Sequence, residues 1–484
     1  MTNGPTAAAP LWHMRPSSAK QAWMKADDPT PSGLFAPIFA SGAMQALFAD
    51  PALLQAMLDF EAALARAEAR TGIIPEDAAD SISENCKASL YDFGAIGIAA
   101  RDSGNPAVPL VKALNAQVPE EARGWVHWGA TSQDVIDSAL MMQAKGGLNL
   151  ILADVTAAIK AGVRLARTQK NAIMAGRTFL QQAVPVTFAF KAANWTSGLA
   201  RLRASLIRNL EENIALQFGG AAGTLAALGP DGMAVRAALA AELDLAEPQM
   251  SWHSERSRFV EIATALGAAS AVFAKIATDI MLMMQPEVAE AFEPAAAGRG
   301  GSSTMPHKRN PVGAIAIRAN HRRIAGLVAT MLMAAEAEHE RGAGGWGAEW
   351  RTIADLFTLT GGSAEHLAEM LTGLELDPVR MRANLDNTGG LPLAESLMMA
   401  LAQKTGRMEA HHIVEAVAKK AIADGLTLAA AASAQGAITA QLSRQEIERA
   451  LDPENYLGSA NAMIDKVLSE VHRQIGEKEP NAAD

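Results

Sequence analysis

The chain has 484 residues, 49% of them hydrophobic, 19% charged and 5% aromatic, with a formal net charge of −10. Such an acidic chain offers no general basic surface for nucleic acid, and its single cysteine, Cys86, excludes an internal disulfide framework or a multi-cysteine metal site and points to a reducing compartment. The length suits roughly three domains, and heavy use of Ala, Leu and Met favours packed helices over sheets.

Residues 1–30 read as a tail of small residues, proline and serine without a sustained period. Prolines interrupt the place where the apolar core of a signal peptide would fall, so the expectation is a cytoplasmic protein. Helical patterning begins at Pro51, a residue suited to a first turn. Leu53, Met57, Phe60, Leu64 and Ala67 then share one face, and Gly72 is the stop signal.

A first polar island, "VHWGATSQDVIDSALMMQ", occupies 126–143. Thr131 or Ser132 can cap the helix that follows, and Thr131 with Asp134 has the spacing of a capping box. The same two hydroxyls at a helix N-terminus also form a ready anion site, and capping alone does not account for His127 and Trp128 before a glycine. Leu148, Leu152, Val155, Ile159 and Val163 continue a long helix.

The second island, "GRTFLQQAVPVTFAFK" at 176–191, reads as a polar loop between helices, with Pro185 as a helix breaker. "GGAAGT" at 219–224 lacks the lysine and spacing of a phosphate loop, and the surrounding uncharged run reads poorly as a membrane span. Phe259, Ile262, Leu266, Ala269, Phe273, Ile276, Ile280 and Met283 then alternate steps of three and four, as in a core or inter-subunit bundle helix, until Pro286.

The third island is "GSSTMPHKRNPVG" at 301–313. Gly298, Gly300 and Gly301 free the backbone; Ser302, Ser303 and Thr304 supply hydroxyls; Arg299, Lys308 and Arg309 supply charge. Asn310-Pro311 has the form of an N-cap and first helical turn. A basic surface loop would also fit, but a glycine hinge leading to hydroxyls and a lysine is what a closing anion-binding loop requires. Beyond Asp377 the pattern is again helical, broken by "NTGG" and "ADG". The expected organisation is a tail at 1–30, an N-terminal helical domain at 31–130, a central bundle at 131–375 and a C-terminal helical domain at 376–484. No metal or cofactor motif is found.

The stretch "GSSTMPHKRNP" resembles the signature loop of the fumarase/aspartase superfamily, and "HWGATSQD" and "GRT-LQ-A-P-T" resemble its two other substrate loops in the same order. The resemblance extends from about residue 34 to about residue 440. It implies an all-α, three-domain fold whose long central helices assemble into a twenty-helix core in a homotetramer, with each active site shared between subunits. It also implies that Ser302 exchanges the proton, with Lys308 and His127 at its side. Thr131, Ser132, Asn310 and Arg341 would hold substrate carboxylates, and Arg177, Thr178 and Gln217 are weaker candidates for the same task.

Phe179 stands where fumarase and adenylosuccinate lyase carry a histidine, and a phenyl ring cannot transfer a proton. With "EHERGAGGWGAEW" at 338–350 and "WHSERSRFVE" at 252–261, this is similar to the cycloisomerase branch that closes the anionic tricarboxylate 3-carboxymuconate to a γ-lactone. A carboxylate leaving group in the reverse elimination needs no protonation, because its pKa is low. The same point leaves room for a nitrosuccinate-type lyase or a sulfomuconate cycloisomerase, whereas Phe179 argues against adenylosuccinate.

Overall fold

The computed structural model describes residues 33–295, 300–301, 304–305 and 307–475. It is built almost wholly of helices. Helix α1, Asp50–Arg70, starts with Pro51 in its first turn and ends at Thr71, whose N–H returns to Ala67. Its buried face includes Met57, Phe60, Leu64 and Ala67, the period read from the sequence, and Gly72 follows in a left-handed conformation at φ +79°.

Five longer helices follow: α2, Ser132–Thr168; α3, Phe188–Glu212; α4, Ser257–Met283; α5, Val312–Ala334; and α6, Gly345–Thr372. In α4 the predicted residues Phe259, Ile262, Leu266, Ala269, Phe273, Ile276 and Ile280 are at most 1% exposed, and the helix stops before Pro286. Among the described residues α4 alone is long and apolar enough to cross a membrane, but 56% of its most apolar stretch is buried within the protein, as for a core helix.

The chain divides into two compact units. The first comprises 1–155, 202–274 and 316–366; the second comprises 156–201, 275–315 and 367–484. In the first, close approach of helices is set by glycine: a Cβ on Gly147 of α2 would lie 2.5 Å from the Phe357 ring of α6. In the second, a cluster around Leu397, Leu401, Val414, Val417 and Leu428 is the core of the C-terminal helices α7, Ala394–Thr405, and α8, Arg407–Asp424.

Two short antiparallel strand pairs depart from the helical expectation. The island at 176–191, read as a polar loop with Pro185 breaking a helix, instead takes part in strands β1, Ile173–Thr178, and β2, Gln181–Thr187, and in the start of α3. Thr178 pairs with Gln181, and Pro185 pairs with Ala175 beside a register irregularity between Ala175 and Arg177. The two-residue tip is Phe179-Leu180, at φ +50° and +65°. A turn of that hand normally announces itself with Asn-Gly, and its absence hid the hairpin. The second pair joins two strands far apart in the chain, β3, Ala291–Phe292, and β4, Glu375–Leu376.

Candidate active site

The candidate residues fall into two sets, one in each unit. In the first unit the turn Gly124–Gly129 leads into α2 and holds His127 at φ +58°. Its Nδ1 lies 2.7 Å from Oε1 of Glu61, a residue of α1 whose side chain is wholly buried. Burial alone would lower the pKa of His127, but the Glu61 carboxylate, by charge and hydrogen bond, and Asp134 outweigh it and hold it above the ordinary value.

Thr131 and Ser132 are half-buried at the start of α2. Only half of the expected capping box forms. The Asp134 carboxylate accepts from the Thr131 N–H at 3.0 Å, while the Thr131 hydroxyl accepts from Nη1 of Arg341 at 3.1 Å. Arg341 also donates through Nη2 to Ala221 O, also at 3.1 Å, so one guanidinium ties the helix start to the glycine loop.

Asp134 is the hub of that loop. Besides Thr131 it accepts from Gly219 N at 3.0 Å, Gly220 N at 2.9 Å, Gln217 Nε2 at 3.3 Å and, at 2.7 Å, from His253 Nε2. Gln217 is fully buried and its Oε1 accepts from Trp252 N at 2.8 Å. Its side chain is thereby built into the wall, facing other protein groups. One turn further along α2, Asp137 accepts from Arg256 Nη1 at 2.7 Å and Trp346 Nε1 at 2.9 Å. Arg256 also makes a two-pronged pair with the buried Glu349.

In the second unit, Ser302 and Ser303 lie outside the described residues, as do Gly298 and Arg299. The downstream part of the loop is anchored at Gly300, whose carbonyl accepts from Asn310 N at 2.8 Å and from Asn310 Nδ2 at 3.1 Å. Gly300 needs its φ of +69°, and a Cβ there would meet Asn310 O at 2.5 Å. Asn310 therefore closes the loop, and the expected cap comes from elsewhere. Buried Glu293 accepts from Gly313 N at 3.1 Å and Ala314 N at 2.8 Å at the start of α5. A charged carboxylate brought in by tertiary structure displaces the local asparagine, and these N–H groups are no longer open to an anion.

Arg309 pairs with both oxygens of Glu375, at 2.9 and 2.7 Å. Lys308 is exposed, and its ammonium makes no ion pair among the described residues. Arg177 is likewise committed: it grips Glu290, which is fully buried, at 2.9 and 2.7 Å, and Asn384 adds a third donor to that carboxylate at 2.9 Å. Thr178 is exposed beside the hairpin tip, where Phe179 is 100% exposed.

Glu61, Glu290, Glu293 and Arg256 are the structurally important residues missed by the sequence reading, which gave Asp134 a capping role only. For Glu61 a signal existed. Glu61 and Glu68 are carboxylates seven residues apart on the otherwise apolar face of α1, where a side chain must be buried.

A helical scaffold that gathers hydroxyls, an arginine and a histidine at one helix start, and carries on a loop anchored at Gly300 a lysine with no ion pair among the described residues, has the parts for adding or eliminating groups beside a carboxylate. The chain belongs to the lyase family of the fumarase/aspartase type: residues 39–326 match its family model, described as Lyase. Residues 390–467 match the adenylosuccinate lyase C-terminus model. Within the family it is 48% identical over 445 residues to the 3-carboxy-cis,cis-muconate cycloisomerase of Bradyrhizobium diazoefficiens, covering 91% of this chain and 99% of that protein. It is 46% identical to the enzyme of the same name from Pseudomonas aeruginosa, covering 91% and 96%. The crystal structure of the 3-carboxy-cis,cis-muconate lactonizing enzyme from Pseudomonas putida superposes with a TM-score of 0.87 at 42% identity, covering 91% of this chain and 99% of that one.

Proposed function

We propose that this chain closes 3-carboxy-cis,cis-muconate to a carboxymuconolactone by intramolecular addition of a carboxylate, within protocatechuate catabolism. The observation that carries the reading is the 48% identity with a cycloisomerase over nearly the whole of both chains. The hairpin tip supports it: Phe179-Leu180 offers no proton donor. The reverse elimination expels a carboxylate, which leaves without one.

In the forward direction one carboxylate oxygen attacks a double bond and the neighbouring carbon takes up a proton. Charge develops on the carboxylate attached to that carbon, and each well-placed donor there is worth roughly 3–4 kcal/mol. Thr131, Ser132, His127, Arg341, Lys308 and Asn310 are our candidates for binding the three carboxylates. Ser302 is our candidate for the proton exchange, with Lys308 lowering the cost of its alkoxide. Arg177, Thr178 and Gln217 remain weaker candidates, since the first and last already have buried protein partners.

We further propose a homotetramer of three-domain subunits, divided near 130 and 375, located in the cytoplasm, with active sites assembled from several subunits and no cofactor. The first experiment is an ultraviolet assay with 3-carboxy-cis,cis-muconate. Loss of diene absorbance with formation of the γ-lactone supports the reading; release of fumarate or nitrite from a substituted succinate, with the diene untouched, overturns it. Ser302→Ala is expected to fold normally and lose nearly all turnover. Near-normal turnover in that variant would remove the serine from the mechanism.

A further inference from the structure

The pairing of Glu61 with His127 has features that neither stability nor chance packing accounts for. His127 is a bulky residue in the left-handed region, a conformation that costs about 1–2 kcal/mol and persists only when its surroundings enforce it. In that conformation the ring Nδ1 makes a hydrogen bond of 2.7 Å to Glu61 Oε1. Glu61 in turn is wholly buried, and its other oxygen, Oε2, has no partner among the described residues. A carboxyl group kept for the fold would be satisfied on both oxygens or replaced by an apolar side chain. This one is spent on one imidazole. The ring is 19% exposed at its side chain, and its Nε2 has no hydrogen-bond partner among the described residues, four positions before the hydroxyl that Arg341 grips.

We infer that Glu61 is a positioning residue. By accepting a hydrogen bond from Nδ1–H of His127 it fixes the ring so that Nε2–H is presented to a substrate carboxylate beside Thr131 and Ser132. This deepens the lactonisation reading and rests on it for the identity of the carboxylate.

The groups around the pair act in the same sense. His127 faces Glu61 from α1 and Asp134 from the first turn of α2. Glu61 faces Glu68 on its own helix, where burial and the charge of Glu61 push the pKa up to about 9, so Glu68 is neutral at physiological pH. Burial, with Glu61 and Asp59, also holds the Cys86 thiol far above its ordinary value, so it too is neutral. Arg66 is the cation on that side, acting on Asp59 and Cys86. His127 is thus flanked by acidic groups and carries its proton above the ordinary histidine range, as a donor to an anion requires.

The test is a titration of the histidine rings by NMR in the intact enzyme. The His127 signal is assigned by its loss in His127→Asn, and the titration is repeated in Glu61→Gln and Glu61→Asp. The expected result is a wild-type His127 protonated on both nitrogens at neutral pH. Its midpoint should fall at least tenfold in proton affinity in Glu61→Gln and recover partly in Glu61→Asp. The alkaline limb of kcat/KM should move with it, KM rising about tenfold and kcat changing less. An unchanged midpoint in Glu61→Gln overturns the inference, as does a wild-type ring that is neutral at pH 7; the latter decides even where the variants do not fold. Because the titration needs no substrate, absence of lactonisation with the coupling intact would count against the proposed reaction and leave the pair standing.

Discussion

Glu68 sits in α1 fully buried, with neither carboxyl oxygen partnered among the described residues, and with its pKa pushed up to about 9 by burial first and Glu61 second. The unfolded chain releases this proton above the ordinary value of 4.5, whereas the folded chain keeps it until about 9. Between those values the unfolded state binds fewer protons, so this residue makes stability fall as pH rises. Glu68→Met should therefore raise the unfolding free energy at pH 8 by about 1–3 kcal/mol, with a smaller gain near pH 5, as read from urea unfolding at both values. An equal gain at both pH values would mean that the side chain is not titrating as described. His127 has the same sign: its raised pKa adds stability below the ordinary histidine range, and that contribution is lost as pH climbs through the folded value. At the hairpin tip, Leu180 at φ +65° is strained for a branched side chain, and Leu180→Gly should stabilise the chain by about 1 kcal/mol in the same assay.

Between elements, Arg256 joins α2 to α6. It is held between Asp137 and Glu349, and all three side chains are buried. Removing it leaves two uncompensated carboxylates, so Arg256→Met should cost about 3–5 kcal/mol in thermal or urea unfolding. A loss below 1 kcal/mol would show that the network relaxes or takes up water. Gly362 of α6 makes the complementary case. A Cβ there would stand 2.2 Å from the Phe39 carbonyl oxygen and 2.6 Å from Ala40 Cα, both backbone atoms that cannot rotate away. Gly362→Ala is expected to cost at least about 1–3 kcal/mol, or to prevent folding. The helices themselves were legible in the sequence. Pro51 marked the start of α1, and the three-and-four alternation from Phe259 to Met283 coincided with the buried stripe of α4. The β1–β2 hairpin was not legible, because Phe179-Leu180 turns without glycine or asparagine.

Over the whole molecule, α5 leaves one stripe open along its length: Ile315, Arg322, Gly326, Ala329 and Met333 are exposed on the same face. Ile315 is 50% and Met333 70% exposed, with small residues between them that let another backbone come close. This is the surface on which the proposed assembly would rest. Met333→Glu is expected to weaken association, seen as a concentration-dependent shift toward smaller species in analytical ultracentrifugation. An unchanged tetramer would place the interface elsewhere.

The sequence by itself determined the long helices and the chemical vocabulary. Helical period follows from local spacing, and "GSSTMPHKRNP" with its two companion stretches carries enough specific side chains to identify the superfamily. What only the tertiary structure decided was the allocation of those side chains. Arg177, Arg309 and Gln217 are polar residues of promising islands that find buried or paired protein partners. Glu293 takes over the cap expected of Asn310. Glu61, 66 positions away from His127, governs its orientation. A hydrogen bond depends on distance in space, and a burial cost depends on every element packed around the group. Neither quantity exists until the chain has folded.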